Sequence, residues 1–183
     1  MASCCRWRPC RRGPGCCSTS ADRTMSEPSP TPGVRFPPPL IFLLGLGAGL
    51  ALEHLLFPWE LVSPPVLPVL RGLAAAFALA AAWLLLSALG GFRRKGNDPR
   101  PWREDTAFVE DGIYRHTRNP MYLGMALAYV AITLACNSLW PLLTLGPVLF
   151  VIRHYVIGRE EAYLTQRFGQ TYTDYCRRVG RWF

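Results

Sequence analysis

The chain has 183 residues, of which 50% are hydrophobic and only 17% are charged, and its formal net charge at pH 7 is +8. This composition is too apolar for an ordinary charged soluble domain and indicates a membrane protein. The positive charge does not require a nucleic-acid partner, because cytosolic loops that face anionic lipid account for it.

Residues 1–39 differ in composition from the rest. They combine arginines with a proline-rich stretch and have no apolar periodicity, so we expect disorder there. The segment lacks the contiguous apolar region of a signal peptide, and Met25 is a candidate true start. The segment contains five cysteines: Cys4, Cys5, Cys10, Cys16 and Cys17. Palmitoylation or a metal cluster would be alternative uses for them. We expect no function, because no pairing of these cysteines has zinc-ligand spacing with partner histidines.

Four apolar runs follow, at residues 40–57, 66–92, 121–136 and 139–157. Residues 40–92 are predicted to form two transmembrane helices, and 119–157 a helical hairpin whose turn is Asn137 and Ser138. The third run rises only about 24 Å against a hydrocarbon thickness of about 30 Å, so its polar entrance should lie at the membrane boundary. The predicted fold is all-α, with about four transmembrane helices and a short cytosolic C-terminal helical tail at 158–183.

The loops predict the orientation of these helices. The segment "PWELVSPP" and the Asn137-Ser138 turn contain no Lys or Arg, whereas residues 93–118 form a basic loop and the tail beyond residue 158 is also rich in arginine. By the positive-inside rule both basic segments, and both termini, should be cytosolic. The membrane would then be a bacterial inner membrane or the endoplasmic reticulum.

The stretch "GLGAG" at residues 45–49 resembles a glycine-rich cofactor turn, but it lies inside an apolar run rather than between a strand and an amphipathic helix. Gly45 and Gly49 are one helical turn apart, the spacing that lets two membrane helices approach closely. We therefore predict helix packing here.

Polar residues precede the third run in "GIYRHTRNPMYLG", residues 112–124. Asn119 before Pro120 predicts a helix start, with the asparagine as the cap. The amides of this helix start, together with Arg118, would form a binding corner for a carboxylate or phosphate. The alternative is that Arg115 and Arg118 are ordinary positive-inside anchors.

Two glutamates follow the fourth run, in "VIRHYVIGREEAYLTQRF". If the helix continues, Arg153, Ile157 and one of the glutamates fall on one stripe. The tight hairpin should bring Glu160 and Glu161 near Arg118, which would suit a ligand that carries both a carboxylate and an ammonium. The alternative is a set of local ion pairs on a solvated face.

Together, "GIYRHTRNPMYLG" and "REEAYLTQRFGQTYTDYCRRVGRW" resemble the C-terminal signature of the isoprenylcysteine carboxyl methyltransferase and phospholipid methyltransferase family of integral membrane enzymes. The resemblance covers roughly residues 85–183. It implies that S-adenosylmethionine binds at the cytosolic end of the last hairpin, through an Arg-x-Pro-x-Tyr-x-Gly motif and a Glu-Glu motif. The matching residues are Arg118, Pro120, Tyr122, Gly124, Glu160 and Glu161, with Tyr172 and Tyr175 in a closing helix.

Neighbouring residues complete the predicted site. Tyr114 and Tyr122 could face the adenine or the sulfonium, and His116 is a minor candidate. The family often has histidine after the motif arginine, where this chain has Asn119. The predicted cofactor-binding residues are Tyr114, His116, Arg118, Asn119, Pro120, Tyr122, Gly124, Glu160 and Glu161, with Arg118 and Glu161 as the catalytic pair.

Methyl transfer to a thiolate or carboxylate needs no protein nucleophile, whereas an amine acceptor would need a base such as Glu161 or His116. The chain's histidines, His54, His116 and His154, are dispersed, so no metal site is predicted. The acceptor is not readable from the sequence. Candidates are a prenylated cysteine carboxylate, a phospholipid amine, a small thiol or another hydrophobic metabolite.

Two alternative functions stay open. The protein could be a membrane reductase of the sterol-reductase type that uses NADPH, or a small membrane scaffold without enzymatic activity.

Overall fold

A computed structural model of the protein describes residues 36–94 and 109–182. The predictions for residues 1–35, including the five cysteines and Met25, and for residues 95–108 of the basic loop lie outside these ranges. The helices are α1 (Pro38–Leu55), α2 (Leu67–Arg94), α3 (Pro120–Cys136), α4 (Leu139–Val151), α5 (Gly158–Phe168) and α6 (Gln170–Arg178). Within the described ranges the predicted all-α fold is confirmed.

Three helical stretches of the described chain are long and apolar enough to cross a membrane: Pro38–Leu55, Pro64–Gly91 and Leu139–Phe168. The second includes a short 3₁₀ turn, Pro64–Val66, before α2, and the third runs from α4 through α5. Helix α3 is apolar but has only 17 residues. The number of four spans therefore remains a prediction, and the shortness of α3 agrees with an entrance at the membrane boundary.

The apolar helices pack in two pairs, α3 along α2 and α4 along α1. Glycines allow the second pair to approach closely. A Cβ atom added to Gly49 would lie 2.5 Å from Cα of Pro141, and one added to Gly45 would collide with the Val148 side chain. The predicted packing role of these two glycines is confirmed.

The turn between α3 and α4 docks on the loop between α1 and α2. Asn137 has a left-handed backbone with φ 53°, and its side chain binds the Val62 backbone twice, accepting from N–H and donating to the carbonyl oxygen at 3.0 Å each. The Trp140 indole N–H donates to the Phe57 carbonyl at 2.9 Å. Both loops without Lys or Arg thus lie at one end of the helices, as their shared composition predicts.

At the other end, a π-helical segment, Ile152–Ile157, joins α4 to α5. The predicted stripe that contains both Arg153 and Ile157 is wrong: Ile157 is fully buried and Arg153 is exposed. A π turn adds residues to the helical turn and so changes which side chains face the core. The chain then turns back at Gly169, whose φ of 54° favours glycine, into α6.

Candidate active site

The centre of the site is an ion pair between the start of α3 and the start of α5. Nη1 of Arg118 lies 3.2 Å from Oε1 of Glu161, and the two side chains are only 14% and 18% exposed. The predicted approach of the glutamate to the arginine is confirmed. Nη1 of Arg118 also donates to Sγ of Cys176 at 2.7 Å, while its Nε is buried without a hydrogen-bond partner within residues 36–94 and 109–182.

Glu161 is held by a second arginine that follows α6. Arg181 donates from Nε to Oε1 at 3.0 Å and from Nη2 to Oε2 at 2.5 Å, so the guanidinium binds both carboxylate oxygens. The hydrogen bonds to Glu161 raise the pKa of the Arg181 guanidinium. The sequence predicts for Arg181 only a contribution to the positive charge of the tail. Its place in "VGRW", at the end of the motif quoted above, was the available signal.

The neighbouring carboxylate has a different environment. The Tyr122 hydroxyl, on the first turn of α3, donates to Oε1 of Glu160 at 2.5 Å. Tyr122 is buried, and Glu160 is half-buried. The two adjacent glutamates therefore have distinct contacts: Glu161 binds two guanidinium groups, and Glu160 accepts from a phenol.

The start of α3 holds the chain that follows α6. Helix α3 begins at Pro120 as predicted, but the expected cap by Asn119 is wrong, because its side chain makes no capping hydrogen bond. Its Nδ2 instead donates to the Arg181 carbonyl at 3.1 Å, and the Thr117 hydroxyl donates to the same oxygen at 3.0 Å. The backbone N–H of Arg118 donates to the Gly180 carbonyl at 3.0 Å. The Arg181 carbonyl thus provides the asparagine side chain with an acceptor outside α3.

The predicted closing helix is α6, and its two tyrosines pack inward. The Tyr175 hydroxyl donates to the Tyr114 carbonyl at 2.7 Å. The Tyr114 side chain is buried with Ala88 of α2 and with Val109. Burial raises the pKa of the Tyr172 and Tyr175 hydroxyls above their ordinary value. Tyr114 thus braces the 3₁₀ turn Gly112–Arg115 between α2 and α6.

Several predicted site residues lie apart from the ion pair. His116 is exposed at the end of the 3₁₀ turn, and Pro120 is buried as the first residue of α3. Gly124 faces α2, where an added Cβ atom would lie 2.9 Å from Cγ of Leu85. Arg115 pairs with Asp111 at 3.8 Å on the surface, as expected of an ordinary positive-inside anchor. Residues 36–94 and 109–182 contain no group of three His, Cys, Asp or Glu side chains that could hold a metal ion.

Comparison with known proteins places the chain in a family. The model of the phospholipid methyltransferase family matches residues 70–171, which is more than half of the chain. The chain is 32% identical over 76 residues to protein-S-isoprenylcysteine O-methyltransferase of Schizosaccharomyces pombe, a match that covers 42% of this chain and 32% of the yeast protein. It is also 41% identical over 64 residues to an uncharacterized protein of Haemophilus influenzae, covering 34% of this chain and 98% of that protein.

The match therefore spans about a third of the yeast enzyme's length. No solved structure matches the chain significantly. The ion pair and the Tyr122–Glu160 contact both lie within the segment that the family model matches. The chain, whose described part contains three apolar helices long enough to cross a bilayer, is an integral membrane protein of the phospholipid methyltransferase family, which includes isoprenylcysteine methyltransferase-like proteins.

Proposed function

We propose that this protein is an S-adenosylmethionine-dependent methyltransferase that binds its cofactor beside the Arg118–Glu161 ion pair. The observation that carries the proposal is this pair itself. A largely buried arginine and two glutamates meet at the end of the apolar helices, inside the region that matches a methyltransferase family. We propose four membrane spans with both termini in the cytosol, which would put the site at the cytosolic boundary of the bilayer.

The residues present fit the proposed cofactor. S-adenosylmethionine carries a carboxylate, an ammonium, two ribose hydroxyls and an adenine ring. The guanidinium of Arg118 suits the carboxylate, and its buried Nε has no acceptor elsewhere in the described chain. The carboxylates of Glu160 and Glu161 suit the ammonium and the ribose hydroxyls, with the Tyr122 hydroxyl beside Glu160. Tyr114, His116 and Pro120 remain less direct candidates.

When bound, the cofactor supplies a methyl carbon that its sulfonium already activates. The protein's residues then have to bind, orient and keep out water, because attack by a thiolate or carboxylate needs no protein nucleophile. The side chains of Arg118 and Glu161 are largely buried, so they can bind and orient the cofactor out of contact with bulk water. Since both oxygens of Glu161 are already bonded to arginines, this carboxylate is suited to positioning rather than to proton transfer. This favours acceptors that need no base.

The acceptor we propose is lipophilic. The outer faces of α1 and α2 expose large apolar side chains such as Leu43, Leu79 and Trp83, which are suited to lipid contact. A substrate dissolved in the bilayer would reach a site at the membrane boundary from the side. The yeast relative's name makes a prenylated cysteine carboxylate the first acceptor to test, and the family description makes a phospholipid amine the second.

The proposal is tested by incubating the detergent-purified protein with methyl-labelled S-adenosylmethionine and each acceptor class: prenylcysteine, phospholipid amine and small thiol. We expect labelled product from one of the two lipophilic classes. We expect at least tenfold less product from Glu161→Ala, because this variant lacks the carboxylate that pairs with Arg118 and Arg181. Arg177→Ala is the matched control, since Arg177 pairs with Asp174 on the surface. Absence of product from both lipophilic classes would reject the proposed acceptors. If Glu161→Ala formed product at the wild-type rate, the proposed site would be rejected.

A further inference from the structure

We infer that Thr117 and Asn119 are positioning residues that clasp residues 179–182, here called the closing segment, and thereby hold Arg181 against Glu161. The role assigned to Asn119 is neither helix capping nor direct cofactor contact. The inference rests on the proposed function only for its ligand-binding readout, because the clasp itself is a contact within the protein.

The clasp is a closed set of hydrogen bonds between two short pieces of backbone. The carbonyl of Arg181 accepts from both the Thr117 hydroxyl and the Asn119 amide, at 3.0 and 3.1 Å. The Thr117 oxygen in turn accepts from the Asn119 backbone N–H at 3.2 Å. One residue earlier, Gly180 accepts from the Arg118 backbone N–H. Since Thr117 and Asn119 are only 3% and 8% exposed, water competes poorly for these bonds.

The residue whose carbonyl is clasped is also the residue whose side chain binds Glu161. The Arg181 side chain is 37% exposed, and ion pairs at exposed positions contribute little unless their geometry is fixed. The clasp fixes the backbone from which the side chain extends. Asn119 therefore acts on Glu161 through Arg181. Without the clasp, the long arginine side chain regains conformational freedom, and Glu161 relies on Arg118 alone.

The hydrogen-bond chemistry defines matched variants. The clasp needs a donor at both positions, which Asn119 provides with its amide NH₂ and Thr117 with its hydroxyl. Asn119→Ala and Asn119→Asp remove the donor. Thr117→Val removes the hydroxyl at nearly constant volume, and Thr117→Ser keeps it.

A first experiment needs no cofactor. Trypsin cleavage after Arg178, followed by mass spectrometry of the full chain in detergent, reports how firmly the closing segment is held. We expect Asn119→Ala and Thr117→Val to be cleaved several times faster than the wild type, and Thr117→Ser to be cleaved at the wild-type rate. Equal rates in the wild type, Asn119→Ala and Thr117→Val, with unchanged thermal unfolding, would overturn the clasp.

A second experiment is a double-mutant cycle on S-adenosylhomocysteine affinity, with Asn119→Ala, Arg181→Ala and the double variant. In the wild-type background we expect Asn119→Ala to weaken binding roughly three- to tenfold, the equivalent of about one hydrogen bond. In the Arg181→Ala background it should have almost no effect, because Asn119 acts through Arg181. An equal loss in both backgrounds would show direct ligand contact and overturn the inference. If the wild type does not bind S-adenosylhomocysteine, the proposed function fails, and the trypsin experiment alone decides the clasp.

Discussion

The Arg118 guanidinium and the Glu161 carboxylate come together from two different helices, with Nη1 3.2 Å from Oε1. Arg118 lies just before α3, and Glu161 lies in the first turn of α5. Their contact depends on the two-residue turn between α3 and α4 and on the π-helical segment before α5. The site is therefore a product of how the apolar helices pack, and changes in that packing should affect it.

Close packing of α1 on α4 predicts that Gly49→Ala is destabilising. The added Cβ atom would lie 2.5 Å from the Pro141 backbone, which cannot move as a side chain can. We expect a loss of about 1–3 kcal/mol in the free energy of unfolding, visible as a lower melting temperature in detergent. Gly47→Ala on the same helix is the control, since its Cβ atom would meet nothing within 4 Å. Equal melting temperatures for the two variants would contradict the packing of α1 on α4.

Gly124 has two possible roles, cofactor contact or helix packing, and the structure favours packing. An alanine Cβ atom there would lie 2.9 Å from Cγ of Leu85 and 3.4 Å from the Ala81 carbonyl oxygen. Gly124→Ala should lower the free energy of unfolding by about 1–3 kcal/mol and so lower the melting temperature. The folded variant should bind S-adenosylhomocysteine with the wild-type affinity. Gly146→Ala, in open space, is the control. Lost binding at an unchanged melting temperature would favour cofactor contact.

Burial of the Tyr175 hydroxyl predicts a dependence of stability on alkaline pH. Its pKa is raised in the folded protein, mainly by desolvation, so its contribution to stability is complete below the unfolded value of about 10 and declines as the pH rises above it. Tyr175→Phe should cost about 1 kcal/mol at pH 7, through the lost hydrogen bond to Tyr114. The variant's unfolding free energy should then fall less steeply above pH 10 than that of the wild type. Parallel curves in chemical denaturation would argue against a buried phenol.

Much of the fold follows from local sequence patterns. Uninterrupted apolar runs predict the helices, and Asn119-Pro120 predicts where α3 begins. The Gly45 and Gly49 spacing predicts a close helix contact, and the structure identifies α4 as the partner. The meeting of Arg118 and Glu161 was also predictable. A turn of only two residues forces the entrance of α3 and the exit of α4 to the same end of the hairpin.

Other features depend on contacts that no local pattern encodes. The π-helical segment changes the register between Arg153 and Ile157, and no local pattern in its sequence, IRHYVI, predicts a π turn. The bonds from Thr117 and Asn119 to the Arg181 carbonyl join side chains to a backbone atom more than 60 residues away. Asn119 satisfies the local rule for a helix cap, yet the closing segment supplies a competing acceptor in the folded chain.

The measurement that tests the central claim most directly is equilibrium binding of S-adenosylhomocysteine to the purified protein, with thermal stabilisation as the readout. The wild type, Arg118→Ala, Glu161→Ala and the surface control Arg177→Ala would be compared, with NADPH as a second ligand. We predict stabilisation of the wild type and Arg177→Ala by S-adenosylhomocysteine, affinities at least tenfold weaker in the two site variants, and no effect of NADPH. Stabilisation of folded wild type by NADPH alone, or equal stabilisation of all four proteins, would contradict a methyl-donor site at Arg118 and Glu161.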